Sequence, residues 1–195
     1  MSDSYLSRLP IGQRVPAPTE GMTGWEIFPF EGDLKVKVLE PPVLPEPPRH
    51  GEDADSCNCK DGFPHAIWSD DDWVLVSPAE PAALPAIVLV KPRGHYDSDD
   101  LPAPLAAALY PLLQRVERAI MGLGGIARVH HYKWGDGSAH LHYWLMARPA
   151  GMMQLRGSCM PLWDDLLPRV PADEWRATQG KIAQTLAVDG GTAHV

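Results

Sequence analysis

A chain of 195 residues can bury a core without disulfide staples, and a formal net charge of −8 lacks the basic footprint that binding long nucleic acid requires. Its apolar runs fall well short of the ~20 residues of a membrane span, and the Met1–Tyr5 start has no basic stretch leading into an apolar one. These features point to a cytoplasmic protein with small-molecule partners, no membrane and no long nucleic acid; a small phosphorylated ligand held by a local site stays open.

In chain order, residues 1–22 are polar and carry Pro and Gly, which predicts a loosely held arm. Trp25–Phe30 and Leu34–Leu39 follow, with a Glu31-Gly32-Asp33 turn between them. The second run alternates apolar residues with lysine, a half-exposed strand pattern, and the pair predicts a hairpin. Residues 40–50 hold five prolines and predict a stiff connector, either a spacer or a docking peptide for a proline-reading domain.

His65–Trp68 and Trp73–Ser77 predict two short strands joined at Asp70-Asp71-Asp72. Ala86–Val90 is apolar throughout and of strand length, the mark of a central strand, and it ends in Lys91-Pro92-Arg93-Gly94-His95. Leu101, Leu105, Leu109, Leu112, Val116, Ile120 and Leu123 recur at helical spacing behind the N-cap candidates Ser98–Asp100. The principal helix is therefore expected over 99–121, kinked near Ala107 by Pro111 and closed by Gly122, Gly124 and Gly125. A turn over Trp163–Leu167 and a helix over Ala172–Leu186 complete the chain.

The stretch Arg128–Arg148 organises the rest. Two apolar and aromatic runs flank Gly135-Asp136-Gly137-Ser138, which predicts a tight hairpin turn. Strand alternation puts His140, His142, Trp144 and Met146 on one face, and Leu141, Tyr143, Leu145 and Ala147 on the core side. Paired imidazoles at this spacing suit metal ligation, acid–base work or attack on phosphorus, and they also occur as ordinary histidines. Backbone N–H groups near Gly137 and the Ser138 hydroxyl offer donors for a phosphate, and Lys133 lies beside them as a source of positive charge or as a solvated edge lysine. Of the three cysteines, Cys57 and Cys59 sit one residue apart. Soft thiolates favour zinc, with imidazole completing a tetrahedral set, while two ordinary reduced cysteines are the plainer reading.

Four pieces in this order resemble the histidine triad (HIT) superfamily, including its galactose-1-phosphate uridylyltransferase branch: the cysteine pair, Lys91–His95 after a buried strand, a long helix, and His140-Leu-His142-Tyr-Trp144-Leu-Met-Ala-Arg148. The resemblance covers roughly residues 57–149. It implies an α+β fold with an antiparallel sheet of about five strands and the long helix packed on it, here extended by the N-terminal hairpin. The implied division is an arm, hairpin and connector over 1–50, the HIT-like domain over 51–150, and a C-terminal extension with a helix over 151–195.

The resemblance further implies that His142 is the nucleophile of a nucleotide hydrolase or nucleotidyltransferase, attacking an α-phosphorus to form a nucleotidyl-histidine. Cys57, Cys59, His95 and His140 would hold a structural zinc, Trp144 and Arg148 would contact nucleotide or phosphate, and a homodimer is the common assembly. The partner is then a nucleotide or nucleotide conjugate. The chain departs from the family pattern at Trp144, where the third motif histidine belongs, at Ala147 in place of proline, at Leu75 in place of an acidic ribose ligand, and in its Cys-x-Cys spacing. A catalytically degenerate protein of the same fold, holding a nucleotide or only zinc, is the competing expectation. A catalytic metal on His140, His142 and a further histidine is a third.

Overall fold

A computed structural model describes residues 10–16, 24–32 and 34–194. The chain divides into two compact units, Met1–Pro47 and Pro48–Val195.

Among the described residues of the first unit, the expected hairpin does not form. The described backbone of 24–32 and 34–47 is irregular, and its one ladder contact is an isolated parallel bridge between Ile11 and Leu39. The physical reason is a missing buried face. Leu34, Val38 and Leu39 are 40%, 37% and 45% exposed, so nothing fixes a strand register there. The Gly12 N–H donates to the Leu39 carbonyl at 2.8 Å and Arg14 donates to the Val36 carbonyl at 2.8 Å, which tie the two described segments locally. Most of the predicted arm lies outside the described residues. The proline connector forms no helix or strand and is mostly exposed.

The second unit is built on an antiparallel sheet. Its strands are β1 (Ala66–Ser69), β2 (Trp73–Val76), β3 (Ile87–Pro92), β4 (Ile126–Tyr132), β5 (Tyr143–Pro149) and β6 (Thr192–Ala193), and their spatial order is β4-β5-β3-β2-β1-β6. β3 lies inside the sheet, between β2 and β5, and its Val88 and Val90 are fully buried, which is why its sequence reads apolar without alternation. The sixth strand comes from the C-terminal tail. The Asp70 carboxylate accepts the backbone N–H groups of Asp72 and Trp73 and so makes the β1–β2 turn.

One face of the sheet carries the main core. Helix α1 (Ala103–Met121) lays Leu112, Leu113, Val116, Ala119 and Ile120 against Trp68, Leu75, Val88, Val90, Leu145 and Ala147. It starts at Ala103, after Pro102, and not at the Ser98–Asp100 caps, because Pro102 disfavours helical backbone at the Leu101 before it. The helix continues unbroken through Pro111. Helix α3 (Ala172–Val188) packs Ile182, Ala183 and Leu186 into the same core. On the other face, Ile87 and Met146 pack with Ala82, Leu84, Leu155 and Met160, which opens the short helix α2 (Met160–Leu166), and with Trp175 of α3. The C-terminal segment thus touches both faces. Among the described residues, no helix is long and apolar enough to cross a membrane.

The return of the tail to β1 hinges on Gly191. Its φ is +79°, and an added Cβ would lie 2.5 Å from the Trp68 ring and 2.6 Å from the Ser69 carbonyl. Trp68 is buried and donates its indole N–H to the Gly190 carbonyl at 3.0 Å, so neither neighbour can give way. Gly191→Ala is expected to cost about 2–4 kcal/mol, from strained backbone plus lost β6 pairing, read as a lower urea midpoint at constant m.

Candidate active site and metal centre

The expected tight turn at 135–138 is instead a ten-residue loop, since β4 ends at Tyr132 and β5 begins at Tyr143. The ladder stops because the loop backbone bonds elsewhere. His50 donates to the Gly137 carbonyl at 3.2 Å, Ala139 donates to the His50 carbonyl at 2.9 Å, and Leu141 donates to the Tyr96 carbonyl at 2.7 Å. Arg49 reinforces this with bonds to the Gly135 carbonyl at 3.0 Å and to Asp97 at 2.7 Å. His140 and His142 therefore sit on an extended lead-in to β5 and not within it. From Tyr143 onward the predicted alternation holds: Tyr143, Leu145 and Ala147 face the α1 core, while Trp144 and Met146 face the other side.

Cys57, Cys59, His95 and His140 come together, one ligand atom from each lying within 4.8 Å of the others. Two consecutive 3₁₀ turns, Ala54–Ser56 and Asn58–Asp61, meet at Cys57, which keeps extended dihedrals between them. Cys57 Sγ lies 3.4 Å from His140 Nδ1, and Cys59 Sγ lies 3.6 Å from His95 Nδ1. Donors on a zinc tetrahedron with ordinary bond lengths are about 3.4–3.8 Å apart, so these separations suit one ion. Gly51, with φ +77°, covers the cluster so closely that a Cβ would sit 3.3 Å from Cys57 Cβ and 3.6 Å from His95 Cε1.

His140 is buried, at 4% exposure, and its Nε2–H donates to the Pro92 carbonyl at 2.9 Å. That bond assigns the proton to Nε2 and leaves the Nδ1 lone pair facing Cys57. Burial is the main cause that pushes the His140 ring down to about 4, so it is neutral at pH 7, the form that ligates a metal. The Cys59 thiol is pushed up to about 11 by burial and then by Cys57 beside it. A divalent cation would displace those protons and neutralise the pair of thiolates. The donor set therefore fits zinc, and with four protein ligands no position remains for a reacting water.

The next residue of the pattern is oriented by the same histidine. His142 Nδ1 lies 2.8 Å from the His140 carbonyl, which can only accept, so Nδ1 carries a proton and Nε2 points away from that bond. His142 is half-buried, and its ring meets the Trp144 indole edge-on at 6.4 Å. It is not part of the four-residue metal cluster.

The remaining predicted residues separate. Ser138 stays close: its hydroxyl accepts the His140 N–H at 3.3 Å. Gly137 spends its carbonyl on His50. Lys133 lies 3.6 Å from Asp97, a carboxylate that also holds Arg49. Trp144, with Trp134, Met146 and Ile87, lines a cavity of about 540 Å³ walled on the far side by Pro161, Asp164 and Arg169. Arg148 is at the other end of β5, six residues or about 20 Å from His142. Its buried guanidinium points at the carbonyls of Pro149 and Met152, so it does not join His142.

Sequence reasoning passed over two features. Trp134 continues a stack with Tyr132, whose rings are 4.9 Å apart, and so forms a wall of the large cavity. The alternating aromatics Tyr132-Lys133-Trp134 carried that signal. Lys91 is half-buried at the end of an otherwise apolar central strand, an unusual place for an ammonium.

No protein-family model matches the sequence, and no curated protein matches it. Solved structures do. A zinc-bound histidine triad family protein from Mycobacterium smegmatis is 22% identical, over 69% of this chain and 96% of that one, with a TM-score of 0.51. A HIT-like protein involved in cell-cycle regulation from Bartonella henselae is 15% identical over 69% and 96%, with a TM-score of 0.52. A hypothetical histidine triad nucleotide-binding protein from Sulfolobus tokodaii is 16% identical over 68% and 91%, with a TM-score of 0.51. Likeness at these identities is likeness of fold: this chain shares the α+β fold of these histidine triad proteins.

Proposed function

We propose that this protein is a nucleotide hydrolase or nucleotidyltransferase of the histidine triad type, with His142 as nucleophile. The carrying observation is the bond from His142 Nδ1–H to the His140 carbonyl at 2.8 Å, which orients the ring and leaves Nε2 as the nitrogen available to attack phosphorus. In the proposed reaction Nε2 forms a bond to the α-phosphorus, and the bond from phosphorus to the leaving group breaks with its electron pair. The leaving group takes up a proton. Water, or the phosphate of an acceptor, then attacks the same phosphorus and returns the electron pair to Nε2. The nucleotide-binding description of the Sulfolobus tokodaii protein agrees with this ligand class.

The metal reading supports the same arrangement. Zinc held by Cys57, Cys59, His95 and His140 would be structural, joining the 57–59 turns and the segment after β3 to the lead-in to β5 that carries His142. Cys57→Ser is expected to reduce bound zinc from one per chain to near none by native mass, and to lower the midpoint of thermal unfolding, since metal affinity is part of folding stability. Retention of stoichiometric zinc in that variant would remove the cluster as its site.

A second reading has one observation behind it. Trp144 has one donor N–H and no acceptor, and its indole lines the large cavity, so the chain lacks a third motif histidine. On that reading the protein binds a nucleotide without turnover. Intact mass after incubation with nucleotides and dinucleotides, quenched rapidly, separates the two. The enzyme reading expects a nucleotidyl adduct that His142→Ala abolishes, with turnover reduced at least about 10³-fold. Equal turnover in the variant sinks it, and binding without adduct in the parent favours the degenerate form.

A further inference from the structure

We propose that the large cavity on the sheet face away from α1 binds an organic cation, an alkylated ammonium group carried on a small apolar body. The cavity measures about 540 Å³, a volume suited to a small organic molecule. Neither His142 nor any of the four metal ligands lines it, so the site stands apart from the reaction proposed above.

Two indoles make one wall. The ring centroids of Trp134 and Trp144 are 6.0 Å apart and their planes are inclined at 58°, so the pair forms a corner and not a closed stack. Tyr132 takes one face of Trp134, stacking at 4.9 Å and 12°, and its hydroxyl donates to the Gly157 carbonyl at 2.7 Å. That bond and stack fix the Trp134 ring, which still remains 44% exposed. An indole face attracts a cation seated within about 6 Å of its centroid, more strongly than other aromatic side chains do. A group placed in the corner can reach both rings.

The charges around the cavity have the matching sign. Glu80, Asp164 and Asp165 contribute to its lining, against Arg169 alone. Asp164 accepts the backbone N–H groups of Ala83 and Leu84 and pairs with Arg169 at 3.3 Å, so those two charges offset each other. Glu80 and Asp165 remain, both exposed and, among the described residues, without an ion-pair partner. Two unpaired carboxylates repel a phosphate or carboxylate ligand and draw in a cation. An alkylated ammonium suits the indole corner better than a primary one, because it has no N–H groups to leave unpaired when it comes out of water. Ile87 and Met146 supply apolar surface for the body that carries it.

The test compares choline with 3,3-dimethylbutan-1-ol, which has the same shape with carbon in place of the charged nitrogen, by isothermal titration of the full chain. Choline should bind about 10-fold more tightly than the alcohol. Trp134→Leu keeps an apolar wall but removes the ring, so it should weaken choline about 5- to 10-fold and leave the alcohol nearly unchanged. Trp134→Phe should retain part of the choline affinity, which separates loss of the ring from damage to the fold. Replacing both free carboxylates, Glu80→Gln with Asp165→Asn, should weaken choline a few-fold and flatten the dependence of its affinity on salt. No binding of choline, equal binding of the alcohol, or unchanged choline affinity in Trp134→Leu overturns the assignment. Adenosine bound at Trp134 where choline is not would make the corner a base pocket and overturn it as well.

Discussion

His140 holds this site together by using three atoms at once. Its Nε2–H is spent on the Pro92 carbonyl, its Nδ1 faces Cys57, and its own carbonyl takes the Nδ1–H of His142. One buried residue therefore orients two histidine rings and joins three separate segments: the 57–59 turns, the end of β3 and the lead-in to β5. Each bond is directional, so a rotation of the ring would lose the Pro92 carbonyl bond and the ligand geometry together, while the aim of His142 depends on the His140 backbone. Burial supports this by keeping the ring uncharged, because a protonated Nδ1 would face the cysteines as a donor and not as a ligand.

Much of this was legible in the sequence because it depended on period and spacing. The apolar run of β3, the helical stripe from Leu101 to Leu123 and the alternation through Tyr143–Ala147 are consequences of burial, and burial leaves a pattern. The four metal ligands were legible through resemblance alone. Nothing in Cys-x-Cys spacing reveals that two successive 3₁₀ turns will aim both sulfurs at one point.

What stayed hidden depended on competition between partners. Gly135–Ser138 has the composition of a tight turn, but the loop widens because His50, Arg49 and Tyr96 claim its backbone groups. Those partners are remote in sequence. The Leu34–Leu39 alternation misled for the opposite reason: the pattern exists, but no described surface buries it. Arg148 shows the limit of motif transfer, since adjacency to a motif along a strand becomes distance in space at 3.3 Å or so per residue.

The C-terminal extension has a further consequence. Asp164 accepts the backbone N–H groups of Ala83 and Leu84 at 2.8 and 3.0 Å, and Arg169 pairs with the same carboxylate at 3.3 Å. One acidic side chain thus latches the tail onto the β2–β3 connection and makes the outer wall of the cavity that Trp134 and Trp144 line from the sheet. Reactive groups and enclosure are consequently encoded in different stretches of the gene. Mutational drift in 160–170 can reshape what fits against the two indoles while the paired histidines stay untouched. That separation lets the wall of this cavity change through a segment of about ten residues without altering the residues around His140.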